Sequence, residues 1–397
     1  MTGKPESGDN PRLHFSLVLG GPFHRLLGHA RLAGDDGLPT MRAGLVLAFL
    51  AWLPPALLAV TQTLIDPGFD GWGFFADWTV YTRYLVAITV MIATERYADG
   101  RIALLIRHFR DAHLVPGTSR EGFANALARA DRRSASAYAE LVILIIALAW
   151  PGVVADFAVA LAGVSWEGLL VGGEAHLSWA GAYARYVSTP IFVFLVLRWV
   201  WRFIVWTALL RAISRLSLRL TPLHPDRAAG LGFLAIFPSI FSGLVFALGC
   251  VVASSFLKDL GLEQHSAEVV WFAIAAWVVI VLLVFVGPLS LFTHPLYLAR
   301  EKALLEYGRI TSRHHLAFQR RWLDDDKDAE ELLGEPDASS VSDLNASLQA
   351  IEGMRLLPVD RAALIQLLLA AGVPMLAVVA SHLQALELLK VVVGSLL

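Results

Sequence analysis

The chain has 397 residues, of which 56% are hydrophobic and 17% are charged, with a formal net charge of −2 and a mean hydropathy of +0.60. Soluble globular proteins are about half apolar and about a quarter charged, so this composition argues against a soluble protein and for one embedded in a bilayer. The single cysteine, Cys250, excludes an intramolecular disulfide.

The N-terminal part precedes the first apolar run, which begins near Ala43. Residues 1–11 are polar and are predicted to be disordered. Residues 12–32 mix Leu, Val and Phe with His and Arg, a composition that suits a helix lying on the cytoplasmic membrane surface. A soluble helix packed on the rest of the protein explains the same pattern, and both interpretations stay open here.

Seven apolar stretches are each close to the roughly 20 residues that a helix needs to cross a bilayer. The sequence therefore predicts an all-α polytopic transmembrane helix bundle of about seven spans with cytoplasmic helical extensions. The predicted spans are at about 43–64, 79–97, 138–162, 186–208, 232–257, 268–292 and 361–381.

The connections between these spans alternate in charge. Those on one side are rich in arginine, and those on the other carry aspartate and glutamate. The positive-inside rule therefore predicts that the N-terminus lies in the cytoplasm. Representative basic residues are Arg25, Arg101, Arg132, Arg211 and Arg320, and representative acidic residues are Asp66, Asp77, Glu167 and Glu263.

Four regions are expected along the chain. Residues 1–41 form a cytoplasmic segment with the interfacial helix, and 42–293 form the transmembrane bundle with a cytoplasmic helical hairpin at 98–137. Residues 294–358 form a cytoplasmic helix and an acidic linker, and 359–397 form the last span and a terminal helix. The sequence leaves open whether 383–397 lies outside or returns to the cytoplasmic side.

Two arginines interrupt the fourth predicted span. Arg198 lies about eleven residues below its outer end, which is roughly 16 Å and near the midplane at 1.5 Å per residue. Arg202 lies one helical turn further and shares its face. Such charge is costly unless it is paired or faces a cavity. We predict that these arginines, with Glu95 and Glu140 as candidate partners, form an ion or substrate pathway; a buried structural network is the alternative.

A distinctive cytoplasmic turn, LTPLHPDRAAGLG, follows the fourth span. Its carboxylate and imidazole are suited to bridging, and its glycines permit close approach of the backbone. Together with His294 the turn offers metal-ligand residue types, but no spacing matches a zinc pattern. We therefore predict a turn that locks helices together, with no metal and no cofactor. The residues concerned are His224, Asp226, Arg227, Gly230 and Gly232.

Three segments carry a resemblance to a known family: LAWLPP in the first span, LRWVWR at 197–202 and HPDRAAGLGFL at 224–234. Together they resemble an uncharacterised family of bacterial multi-pass inner-membrane proteins, over much of the chain. The resemblance implies a location in the bacterial inner membrane and carries no activity over.

No HExxH, GxSxG or Walker-type motif occurs, so we predict that the protein is not an enzyme. Two functions remain: a channel or transporter for a small anionic solute or ion, or a non-transporting scaffold or sensor whose cytoplasmic helices bind a partner. The cost of buried charge favours the first. Expected partners are membrane lipids, through the stripe of Arg211, Arg215 and Arg219, and further copies in a homo-oligomer, but not nucleic acid.

Overall fold

The computed structural model describes residues 16–34, 36–66, 68–153, 166–171, 174–261, 267–322 and 336–382. Three predictions concern residues outside these ranges: the disorder of 1–11, most of the acidic linker, and the course of 383–397. The end of the third predicted span, beyond Val153, lies outside them as well.

The described chain is helical apart from one two-stranded antiparallel ribbon, β1 (Gly168–Val171) with β2 (Glu174–Leu177). In chain order the α-helices are α1 (Pro22–His29), α2 (Met41–Ile65), α3 (Gly73–Ala76), α4 (Trp78–Val80), α5 (Ile88–Asp111), α6 (Arg120–Ser134), α7 (Ala137–Val153), α8 (Trp179–Tyr183), α9 (Thr189–Ser214), α10 (Phe237–Ile240), α11 (Ser242–Gly261), α12 (Ala267–Phe285), α13 (Thr293–Trp322), α14 (Pro336–Glu352) and α15 (Arg361–His382).

Several helices are long and apolar enough to cross a membrane, which agrees with a membrane-embedded protein. Among the described residues there are four: Met41–Ile65, Gly117–Val153, Trp179–Ser214 and Gly232–Lys258. A fifth arises if α12 and the helix that begins at Gly287 count as one span bent by 44°. Pro288 explains this bend because it lacks the N–H that would continue the helical ladder.

The predicted count of seven spans is not confirmed. The helix at 78–111 does not qualify, because Arg83, Glu95 and Arg96 interrupt its apolar stretch. Among the described residues, α15 contributes the shorter apolar stretch Arg361–Ala377. The predicted all-helical fold class is confirmed, whereas the number of seven spans stays a prediction.

Helix α9 lies at the centre of the bundle, where it contacts α2, α5, α6 and α7. Helix α2 packs on α5, and α15 packs along α11. Aromatic rings fill the space beside α9: the Phe203 ring is 4.8 Å from that of Phe285, and Trp206 stacks on Phe237 at 5.0 Å. These contacts hold α9 between the N-terminal and C-terminal halves of the chain.

Two π-helical segments interrupt the central helices. The first, Tyr81–Ala87, joins α4 to α5 in one continuous helix, and the second, Ala184–Ser188, joins α8 to α9. The hydroxyl group of Tyr84, in the first segment, lies 3.0 Å from that of Thr189, the residue that directly follows the second. Wider π-helical turns are rare and are often found at functional sites.

The bundle has two chemically different ends. The acidic end carries Asp77 and Glu167, which share the ammonium of Lys258 at 2.8 and 3.2 Å. The basic end carries α1, α6 and the turn that follows α9, with exposed arginines such as Arg133 and Arg211.

Candidate functional site

The predicted charged residues come together in the interior. Glu95 on α5 lies 3.3 Å from Nη1 of Arg198 and 2.8 Å from Nη1 of Arg202, and Glu140 on α7 lies 3.3 Å from Nε of Arg198. All four side chains are 8% exposed or less. The pairing of these residues is therefore confirmed, and we refer to Arg198, Arg202, Glu95 and Glu140 as the charge network.

The helix that carries Arg198 begins earlier than expected, and the depth of Arg198 in a bilayer stays a prediction. Ser178 caps the continuous helix by accepting a hydrogen bond from the Gly181 N–H at 2.8 Å, so the helix begins at Trp179 rather than near residue 186. Arg198 is thus nineteen residues from the start of its helix, about 28 Å at 1.5 Å per residue. The charge network lies beside α1 and the first turn of α7.

The segment that contains α1 covers the charge network. The N–H of Phe23 donates a hydrogen bond of 2.8 Å to Oε2 of Glu140, and the Phe23 ring lies 4.3 Å from the guanidinium of Arg198. Asp99 on α5 holds the start of this segment, accepting from Ser16 Oγ at 2.6 Å and from the N–H of Leu17 at 3.0 Å. This segment therefore packs on the bundle, and the position of its helix on a membrane surface stays a prediction.

Glycines make this docking feasible. Gly20 and Gly21 have φ angles of 105° and 84°, a region that L side chains rarely adopt. A Cβ on Gly21 would lie 2.7 Å from Oε1 of Glu140, and one on Gly20 would lie 2.6 Å from Cβ of Ala135. The sequence signal was the GGP triplet at 20–22, which the sequence analysis did not use.

The network is neutral but not fully hydrogen-bonded. Nη1 of Arg202 is close to Glu95, but neither Nη atom of Arg202 is aligned to donate a hydrogen bond to any described residue. Likewise, Oε2 of Glu95 accepts no hydrogen bond from any described residue. The Trp199 ring, 5.0 Å from the Arg202 guanidinium, provides a cation–π contact. Two positive and two negative side chains balance each other, as a buried structural network requires. A pathway role for these residues stays a prediction.

The predicted locking turn is centred on Asp226. Its carboxylate accepts hydrogen bonds from the N–H groups of Ala228 at 2.8 Å, Gly230 at 3.2 Å and Gly232 at 2.7 Å. Gly230 has a φ of 94°, and a Cβ on Gly232 would lie 2.7 Å from Cβ of Asp226, so both positions require glycine. Burial alone would raise the pKa of Asp226, but the three N–H donors outweigh burial and lower it.

The turn is tied to the chain just before α15. Arg355 donates from Nη2 to the Asp226 carbonyl at 2.8 Å, and its own N–H donates to the Arg227 carbonyl at 2.6 Å. His224 lies 2.9 Å from the Asp226 carboxylate on the outer side of the turn. Among the described residues no three His, Cys, Asp or Glu side chains group as metal ligands do.

A pocket that the sequence analysis missed lies between the two π-helical segments. It has a volume of about 430 Å³ and is bordered by α7, α9, α11 and the start of the ribbon. The first π-helical segment contributes Arg83 and Tyr84, and the second contributes Arg185. We call this cavity the π-helix pocket.

The two arginines of this pocket differ from those of the charge network. Within the described chain neither Arg83 nor Arg185 forms an ion pair with a carboxylate. Arg185 donates from Nη2 to the carbonyl of Pro151 at 2.9 Å. The signal available in the sequence was Arg83 inside the second predicted span; nothing local connects it with Arg185.

No family model, curated protein or solved structure matches this chain. The function is therefore inferred from the geometry of the charge network, the Asp226 turn and the π-helix pocket.

The charge network makes a prediction about stability. Arg198→Gln leaves Glu140 buried without its cation, and breaking a buried pair in this way costs about 3–5 kcal/mol. We expect a clear fall in the midpoint of thermal unfolding of the purified protein. Adding Glu140→Gln to this variant should restore part of the loss, because the two effects are coupled. Arg107→Gln, an exposed arginine of α5, is the control; equal midpoints for Arg198→Gln and Arg107→Gln would contradict the prediction.

The turn makes a prediction about pH. Asp226→Asn keeps one acceptor but turns an NH2 donor towards backbone N–H groups, which should cost about 1–3 kcal/mol. The pKa of Asp226 is lower in the folded than in the unfolded protein. Its contribution to the free energy of unfolding is therefore complete above about pH 4, the unfolded pKa of aspartate, and is lost as the pH falls further. Unfolding measured against pH should therefore show less acid sensitivity in this variant than in the wild type. Asp343→Asn, on the exposed face of α14, should keep the wild-type profile.

Proposed function

We propose that this protein is a channel or transporter for a small anionic solute, and that the solute binds in the π-helix pocket. The observation that carries the proposal is the pair of half-buried guanidinium groups, Arg83 and Arg185, in one pocket and without ion-paired carboxylates among the described residues. Charge inside a bundle is costly unless a partner or a function retains it. A small anion is the partner that two such groups favour.

The other charges around the pocket also favour a negatively charged ligand. Glu167 also borders the pocket, and Lys258, 3.2 Å from its carboxylate, is shared with Asp77. Arg83, Arg185 and Lys258 together still exceed these two carboxylates by one positive charge. His176, on β2, is the remaining titratable group of the lining besides Tyr84. The pocket is therefore electropositive, although the surface at this end of the bundle is acidic.

The charge network has a different part in this proposal. It lies on the same two continuous helices as the pocket: Glu95 is twelve residues beyond Arg83, and Arg198 is thirteen beyond Arg185, about 18–20 Å along each helix. We propose that it closes the basic end while the pocket binds solute at the acidic end. A relative movement of the two helices would then affect both sites, as alternating access requires.

The proposed location is the bacterial inner membrane with the N-terminus in the cytoplasm. The alternation of charge and the resemblance support it, and the basic end is then cytoplasmic. Arg211, Arg215 and Arg219 are all exposed at that end, where anionic lipid headgroups would meet them. The homo-oligomer and a cytoplasmic protein partner stay predictions.

The solute site can be tested by flux in liposomes. Arg83→Gln and Arg185→Gln should leave the protein folded, because neither breaks an ion pair, and should reduce anion flux about tenfold or more, the usual effect of losing a charged hydrogen-bond partner. Arg107→Gln should keep wild-type flux. Unchanged flux and selectivity in both pocket variants would remove the π-helix pocket from the mechanism.

The orientation can be tested by labelling. In a Cys250→Ser background, Asp70→Cys and Thr118→Cys each place one exposed thiol at an opposite end of the bundle. A membrane-impermeant maleimide should label Asp70→Cys in intact cells and Thr118→Cys only after permeabilisation. The reverse pattern would overturn the proposed orientation.

A further inference from the structure

We infer that the solute of the π-helix pocket is an organic monoanion with an apolar body, such as an aromatic carboxylate, and not an inorganic ion. The inference rests on the proposed function and specifies its ligand. Its basis is the division of the pocket lining into a cationic part and an apolar part.

The apolar part of the lining comes from several elements. Trp150 belongs to α7, Phe192 and Val193 to α9, and Val251 to α11. The Trp166 ring completes it beside the ribbon, and its N–H is already engaged, since it donates to Asp77 at 3.1 Å. These walls offer no hydrogen bond to a hydrated ion but provide contact area for a ring or an aliphatic chain.

The cationic part suits one carboxylate group. A guanidinium presents planar pairs of N–H donors that match the two oxygens of a carboxylate. Tyr84 of the first π-helical segment contacts Thr189, which directly follows the second, and the Pro151 carbonyl restrains Arg185. Arg83 and Arg185 thus border one cavity, and the restraint on Arg185 before any ligand binds lowers the entropy cost of binding.

The size of the pocket agrees with an organic ligand. Its volume of about 430 Å³ lies within the roughly 300–1,000 Å³ of pockets that bind small organic molecules. An inorganic anion held by Arg83 and Arg185 would leave the walls formed by Trp150, Phe192 and Val251 without a ligand contact. A phenyl-sized body fills that space and removes apolar surface from water.

The test uses calorimetric binding to the full-length purified protein, with benzoate as the probe. Acetate and chloride provide the charge without the ring, and benzyl alcohol provides the ring without the charge. Benzoate should bind about tenfold or more tightly than each of the three, because each lacks one of the two contributions. Arg83→Gln and Arg185→Gln should weaken benzoate binding about tenfold or more, and Arg107→Gln should not change it.

A second variant tests the apolar wall separately. Val251→Phe adds bulk to the wall and should weaken benzoate binding while leaving acetate binding unchanged. This result separates loss of ligand space from loss of fold, since an unfolded protein would lose both ligands.

Three outcomes would overturn the inference. They are the absence of benzoate binding, equal binding of benzoate and chloride or acetate, and equal binding of benzoate and benzyl alcohol. Equal binding of small anions, with flux, would leave the proposed function intact. Selective benzoate binding by a protein that conducts no anion in liposomes would instead support the ligand and contradict transport.

Discussion

Two arginines in the interior of an apolar bundle are the constraint on which the structure depends. An unpaired charge in this position is very costly, and each carboxylate that offsets it comes from a different helix, Glu95 from α5 and Glu140 from α7. The pairing therefore fixes the relative positions of α5, α7 and α9. Because Glu140 also accepts the Phe23 N–H, the same interaction anchors the N-terminal segment. The relative positions of these helices and the docking of the N-terminal segment thus have one physical origin.

Some of this arrangement could be predicted from the sequence. Arg198, Arg202 and their carboxylate partners were predictable because charges in an apolar stretch are rare and need partners. The Asp226 turn was predictable because a carboxylate followed by small residues and glycines is a local pattern. In both cases the physical reason can be seen in the sequence. For the arginines it is the energetic cost of buried charge, and for the Asp226 turn it is that the turn forms within seven residues.

The rest depends on tertiary contacts. The start of the helix that carries Arg198 was misplaced because a hydropathy pattern does not register the hydrogen bond with which Ser178 caps the helix. The π-helical segments have no local signature, and the pocket joins Arg83 to Arg185, 102 residues later. The number of spans stays open because charged residues interrupt one of the predicted spans, and these are the same residues that belong to the two candidate sites. Arg83 and Glu95 lower the hydropathy of the helix at 78–111, and each serves one of the two sites.

The chemistry of the two sites favours a transporter with closed states over an open pore. The charge network has two positive and two negative side chains, so it neither attracts nor repels an anion through net charge. Separating Arg198 from Glu140 would leave both charged groups unpaired in a low-dielectric interior. This energetic cost is the barrier to opening the network. If the proposed function holds, the helices that carry both sites would have to move together for an anion at Arg83 and Arg185 to pass. Such a concerted step would give one passage per conformational cycle, which is the behaviour of a carrier.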